Sequence, residues 1–253
     1  MIYYFSGNGN SRHVAQRLAT ALGDSTTRID HTTLRAAESC IATDRHVIWV
    51  CPVYSWGLPL PVKEFISRVN VNGATHFLVL TCGDDTGMAH RDWRRLCDRR
   101  GWDAATTFSV QMPNTYTLLP GFDVDKPEIA AKKIDAATGR IDLIARRIKD
   151  GWRGDDVTKG RFPRFKTSVI YPRFMKYGVH PERFCCDTKR CISCGRCEAA
   201  CPMGNVRLID SRPRWESDCA LCLACYHICP VHAVNYGKAT ISKGQYHFKD
   251  TTD

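Results

Sequence analysis

Ile2-Tyr3-Tyr4-Phe5-Ser6-Gly7-Asn8-Gly9-Asn10-Ser11 reads as a short apolar strand, Ile2–Phe5, running into a turn of glycine, asparagine and serine. The residues beyond it, Val14, Ala15, Leu18, Ala21 and Leu22, fall on one face of a helix that Gly23 suits as C-cap. A strand–turn–helix unit of this kind aims backbone N–H groups at the start of the helix, where an anion is favoured. Gly7 and Gly9 allow close approach, and Ser6, Asn8, Asn10 and Ser11 add side-chain donors. Taken alone, such a turn is often only a turn.

The next segments repeat the alternation. Strands are expected at Thr26–Ile29, His46–Val50, Phe77–Leu80 and Thr106–Val110, the last of five, while the stretch up to Thr43 is ambiguous. Helices are expected through Val62, Phe65, Ile66 and Val69, and through Ala89, Trp93, Leu96 and Cys97 to Gly101. The clearest runs from Pro127 to Asp150 on a stripe of Ala130, Ile134, Ala137, Ile141, Ile144 and Ile148, with Asp125 and Glu128 as a capping box. Five strands and their helices predict one α/β domain over 1–150, a doubly wound parallel sheet of order 2-1-3-4-5. Two further loops then meet the first at the carboxyl edge of the sheet. Pro52-Val53-Tyr54-Ser55-Trp56-Gly57 follows the third strand, and Thr81-Cys82-Gly83 with Gly87 follows the fourth. That edge is the switch point at which this topology takes FMN. Tyr54 and Trp56 could simply pack; their place in the loop favours flavin contact.

Ten of the fourteen cysteines lie between Cys185 and Cys229. Cys191, Cys194, Cys197 and Cys201-Pro202 have the spacing C-x2-C-x2-C-x3-C-P, and Cys219, Cys222, Cys225 and Cys229-Pro230 repeat it 28 residues later. Three thiolates on a tight loop take three corners of a [4Fe–4S] cube, and the fourth reaches the other cluster. One cluster is therefore expected on Cys191, Cys194, Cys197 and Cys229, the other on Cys219, Cys222, Cys225 and Cys201. Structural zinc usually takes two C-x2-C pairs per site and fits this spacing badly. Cys185 and Cys186 stand outside the repeat, and Cys40, Cys51, Cys82 and Cys97 read as core residues.

Charge and hydropathy narrow the class. The net charge of +10 is concentrated in residues 146–184, with eleven Lys/Arg against four Asp/Glu. Nothing in that distribution resembles a nucleic-acid recognition element. No apolar run approaches the roughly 18 residues a membrane span needs, and no charged leader precedes Ile2–Phe5, so the cytoplasm is expected. A cysteine cluster in that reducing compartment reads as metal ligation. Residues 151–184 interleave Phe162, Phe165, Ile170, Tyr171, Phe174 and Tyr177 with Arg161, Arg164, Lys166, Arg173 and Lys176. So many aromatics predict a packed connector, followed by a cysteine-rich domain over 185–253.

The chain resembles the fused flavodoxin–ferredoxin proteins of anaerobic prokaryotes. The resemblance rests on Tyr4–Ser11, Pro52–Tyr54 with Gly57-Leu58-Pro59, Met112-Pro113-Asn114-Thr115-Tyr116, the double cysteine repeat and Lys243-Gly244-Gln245-Tyr246-His247. Relatives usually carry threonine where this chain has Asn8. The resemblance implies a flavodoxin-like FMN domain followed by a small α+β two-[4Fe–4S] ferredoxin domain. Three functions are then weighed. The first is an electron-transfer flavoprotein serving redox proteins, an acidic ferredoxin or flavodoxin among them, with no side chain as acid–base catalyst. The second is an FMN-dependent reductase of a small molecule, its pocket lined by Tyr116, His90 or the connector. The third, a redox sensor, has no output domain to support it.

Overall fold

The computed structural model describes residues 1–39, 41–42, 45–71 and 73–248; Cys40 lies outside them. The front of the chain forms a six-stranded parallel sheet. In chain order its strands are β1 (Ile2–Tyr4), β2 (Thr26–Arg28), β3 (His46–Pro52), β4 (Thr75–Cys82), β5 (Asp103–Gln111) and β6 (Gly154–Asp156). Their spatial order is β2-β1-β3-β4-β5-β6, with Ile2 opposite both Thr26 and Ile48, and Thr106 opposite Gly154. The expected order 2-1-3-4-5 is present. Thr106–Val110 is nevertheless not the last strand, because β6 extends the edge from within the stretch expected as connector. Its Gly-Asp-Asp sequence carries no strand propensity. It is held instead by ion pairs: Asp155 with Arg94 at 2.7 Å, and Asp156 with Arg140 at 2.7 Å.

Alternation along the strands builds two cores. Tyr3, Phe5, Val47, Trp49 and Cys51 face one layer, with Phe65 of α2 (Leu60–Arg68) and Trp93 of α3 (Ala89–Arg100). Ile2, Ile48, Val50 and Phe108 face the other, with Leu18 of α1 (Asn10–Leu22) and Ile141 of α4 (Pro127–Lys149). Cys51, Cys82 and Cys97 are buried. The expected capping box of α4 is absent. Lys126 is the N-cap, and Asp125 is taken up by Lys133 Nζ at 2.6 Å and the Asn114 N–H at 2.9 Å. The ambiguous stretch holds a helical turn, His31–Arg35, capped by Asp30, then a 3-10 turn, Ala37–Ser39, and a two-residue strand, Ile41–Ala42, paired parallel with Asn70–Val71.

His76 lies in the sheet between Trp49 and Trp102, stacked on the latter with ring centroids 4.3 Å apart. Its Nδ1 accepts the Trp49 indole N–H at 3.1 Å, so the ring is neutral. Burial pushes its pKa down to about 4, and burial does the same to His90. In the unfolded chain both titrate near 6.5. Their contribution to stability is therefore complete above about pH 6.5 and lost as pH falls toward 4, at roughly 3 kcal/mol for each histidine. His227 is pushed down to about 4 by burial as well, so the denaturant midpoint should fall across that window with a slope approaching three protons; a flat profile there would contradict this account.

The rear of the chain is a small α+β unit. β7 (Phe184–Cys186) pairs antiparallel with β10 (Val234–Tyr236), and β8 (Val206–Ile209) with β9 (Arg212–Trp215). Asp210 and Ser211 both have positive φ, as a two-residue hairpin turn requires. Short helices α6 (Arg196–Ala200) and α7 (Ala224–His227) follow the cysteine loops. Between the two units, Pro163–Tyr177 is helical and includes α5 (Tyr171–Tyr177) and a π-helical stretch at Lys166–Ile170. Its Tyr171 hydroxyl donates to the Leu58 carbonyl at 2.7 Å, and Thr167 Oγ1 to that of Trp56 at 2.9 Å.

Candidate flavin and iron–sulfur sites

The first βα turn ends at Gly9, the N-cap of α1, with φ +92° and no side-chain cap. The backbone N–H groups of Gly7, Asn8, Asn10 and Ser11 find no acceptor among the described residues. These unanswered donors at the start of a 13-residue helix are the chemistry that a phosphate dianion completes. The turn is stiffened from within, since the Gly9 N–H donates to Ser6 Oγ at 3.2 Å and Ser11 Oγ lies 2.7 Å from Thr81 Oγ1.

A cavity of about 120 Å³ opens over this turn. Ser6, Gly7, Asn8, Asn10 and Ser11 line it on one side, and Pro52, Val53, Tyr54, Ser55, Thr81, Cys82 and Gly83 on another. Trp56 lines an adjoining cleft. Gly9, Gly57 and Gly87, expected beside them, line neither: Gly9 is covered by Phe248, Gly57 by the Tyr171 ring, and Gly87 by Trp56 and Thr167. His90 is also absent from both spaces. It is buried with Nε2 4.0 Å from Asp155, whereas Tyr116 and the connector's Phe174 line both. Met112, Pro113, Asn114 and Thr115 complete the wall and escaped the site reading. They follow β5, so the carboxyl-edge rule that found the other loops applies to them equally.

The remaining wall comes from the cysteine-rich unit. Leu221, Cys222 and Leu223 line the same cavity, and Asn8 Nδ2 donates to the Cys222 carbonyl at 3.3 Å. A Cβ on Gly7 would stand 2.8 Å from that carbonyl oxygen, so only glycine permits this approach. His227 locks the joint. Its Nε2–H donates to the Thr115 carbonyl at 2.9 Å, its Nδ1 accepts the Tyr246 N–H at 3.1 Å, and burial pushes its pKa down to about 4. The tail then returns to the first turn, where the Phe248 N–H donates to the Asn8 carbonyl at 2.8 Å.

The cysteines fall into two sets that cross the sequence repeat. Cys191, Cys194, Cys197 and Cys229 line one small cavity. Cys201 lies instead within electrostatic reach of Cys219, Cys222 and Cys225. Burial, reinforced by neighbouring thiols, pushes Cys219 up to about 11 and Cys222 up to about 12. Thiols so crowded ionise together only around a cationic group, which is the condition an iron–sulfur cube meets. No three His, Cys, Asp or Glu side chains among the described residues converge closely enough to share a single ion. Backbone N–H groups already point at the sulfurs: Asn205 to Cys201 and Ala233 to Cys229 at 3.2 Å, Leu221 to Cys219 at 3.3 Å. Cys185 is exposed and pairs in β7, and Cys186 lies beside Cys191.

A doubly wound domain with an anion cradle, joined to a double cysteine loop, is the architecture of a flavodoxin-like domain fused to a ferredoxin-like one. The flavodoxin domain family matches residues 1–114 and the 4Fe-4S dicluster domain family residues 190–234. A ferredoxin of Pyrobaculum islandicum is 39% identical over 75 residues, 26% of this chain and 69% of that one. The chain belongs to the fused flavodoxin–ferredoxin family, whose cofactors are iron–sulfur clusters and FMN. It is also 33% identical over 75 residues to the RNA polymerase subunit Rpo3 of Methanosarcina mazei, of which it spans 28%. Among solved structures it is similar to a Streptococcus pneumonia TIGR4 flavodoxin (TM-score 0.38, 16% identity, 59% of this chain and 96% of that). It is similar too to an FMN-dependent NADH-azoreductase of Bacillus anthracis (TM-score 0.39, 10% identity, 58% and 98%). No helix among the described residues is long and apolar enough to cross a membrane.

Proposed function

We propose that the chain is an electron-transfer protein that moves electrons between two [4Fe–4S] clusters and FMN, coupling one- and two-electron steps. Cys191, Cys194, Cys197 and Cys229 hold one cluster, and Cys201, Cys219, Cys222 and Cys225 the other. A cluster passes single electrons, whereas bound FMN stores one or two. The observation that carries this reading is the shared wall: the loop bearing Cys222 lines the cavity of the phosphate turn. The chain supplies placement and tuning. N–H groups of the first turn hold the phosphate, and the N–H···S bonds favour the more negative state of each cluster. In this reading the flavin unit expected over 1–150 extends to Asp156, and a chain this rich in thiols works in the reducing cytoplasm.

Anaerobically purified protein should carry about eight irons and eight acid-labile sulfides per chain, and accept about four electrons in a dithionite titration. Stoichiometric zinc, or two electrons only, would overturn the assignment.

The connector fits a docking face for an acidic redox partner, though not with every basic residue. Lys166 is taken up by Asp85 at 2.6 Å, while Arg161, Arg164 and Lys176 are exposed beside the exposed Phe162, Phe165 and Tyr177. Neutralising those three should lower the bimolecular rate with an acidic ferredoxin about tenfold at low salt and flatten its salt dependence. An unchanged salt slope would place the partner elsewhere. A second reading, reduction of a small molecule at the flavin, is favoured by one observation, a cleft of about 700 Å³ adjoining the cavity.

A further inference from the structure

The cavity over the first turn, about 120 Å³, opens into a larger cleft. At about 700 Å³ it lies in the upper part of the range of roughly 300–1,000 Å³ for a site holding one drug-sized ligand. It shares Val53, Ser55, Cys82, Gly83, Asn114, Tyr116 and Phe174 with the smaller cavity, so a flavin anchored at the first turn has an open way into it. Its outer half is built from other elements, the connector and the segment before α4. Leu119, Phe122 and Tyr177 line it while 51%, 41% and 63% exposed. Large apolar side chains left open to water at one concave place mark a binding surface.

The arginines of the outer half lack carboxylate partners among the described residues. Arg173 is exposed and has no carboxylate partner among the described residues; Arg183 lies over the Tyr236 ring at 4.9 Å. The nearby Glu182 is taken up by His180 at 2.8 Å. On the opposite wall Asp85 is neutralised by Lys166, leaving Asp84 at the far edge. Tyr236, only 3% exposed, also lines this cleft.

We propose that the outer half of this cleft binds a flat, apolar small molecule carrying one anionic group, its ring seated among Phe122, Phe174 and Tyr177 and its anion met by Arg173 and Arg183. The proposal deepens the reductase reading and rests on FMN occupying the adjoining cavity. Planar guanidinium groups suit a carboxylate or sulfonate, and aromatic walls suit a ring of the flavin's own thickness.

The test uses the full-length, cofactor-loaded, oxidised protein and measures binding without turnover. Anthraquinone-2-sulfonate and the uncharged 2-hydroxymethylanthraquinone are compared by equilibrium dialysis. The sulfonate should bind one per chain, about tenfold more tightly than the neutral compound. The double variant Arg173→Gln/Arg183→Gln should lose that preference with flavin and iron contents unchanged, and Tyr177→Ala should weaken both compounds. Equal affinity for the two compounds, a preference that survives the double variant, or FMN released in proportion to probe bound would each overturn the proposal. A probe that binds with this preference but is not reduced by viologen-reduced protein supports the site and removes the reductase reading alone.

Discussion

Replacing Cys201 by alanine should remove the cluster of Cys219, Cys222 and Cys225, although Cys201 closes the other run in the sequence. Iron should fall from about eight to about four per chain, and an external one-electron donor should then cease to reduce the flavin at a competent rate. The reason is the crossing of the two sets. Cys201 acts on Cys219, Cys222 and Cys225, and that set's loop forms part of the flavin cavity wall. Cys229→Ala is the matched control, because Cys229 lines the cavity of Cys191, Cys194 and Cys197, and none of these four lines the flavin cavity. It should cost the same amount of iron and leave a cluster beside the flavin. Site-resolved Mössbauer or paramagnetic resonance spectra identify which cluster is lost, and stopped-flow absorbance follows flavin reduction. Flavin reduction at the parent rate in the Cys201 variant would reverse the assignment.

Ser6→Asp should abolish retention of FMN. The Ser6 side chain is 7% exposed and lines the cavity into which the first turn aims its N–H groups. A carboxylate about 4 Å from the phosphate costs about 4 kcal/mol for each phosphate charge at an effective dielectric of about 20, or about a thousandfold in affinity. Ser6→Ala removes only the hydrogen bond to the Gly9 N–H and should cost about tenfold or less. Flavin content after gel filtration, with iron content as the check on folding, reads both. An Asp variant that keeps its flavin would mean that the phosphate lies elsewhere.

Local pattern carried much of this architecture. The alternation at Tyr3/Phe5 and Val47/Trp49/Cys51 specified which face each strand buries, and the spacing of the cysteines specified the crossed sets. What escaped depends on partners far along the chain. β6 has no strand propensity of its own and is fixed by Arg94 and Arg140. Asp125 looked like a cap residue because Glu128 follows three positions later, but Lys133 is the stronger claimant. Within the site, glycines told only that backbone comes close, not to what. Gly57 and Gly87 make room for the connector, and Gly7 makes room for the Cys222 loop. Lys166, one of the basic residues interleaved with the connector's aromatics, is an internal ion pair for the same reason: Asp85 lies 81 positions away.

The returning tail has a consequence for the order in which the molecule can be completed. Tyr246 reaches Asn10 across 236 positions of sequence, and Phe248 is buried against the helix that begins at the phosphate turn. During synthesis the flavodoxin sheet can form once β6 has emerged, but its anion cradle stays open on one side until the stretch up to Phe248 has followed. That last part arrives already joined to the cysteine loops through His227 and Gln245. Closure of the flavin pocket thus waits on the chain of the cysteine-rich unit, whose Cys222 loop and returning tail supply its remaining wall.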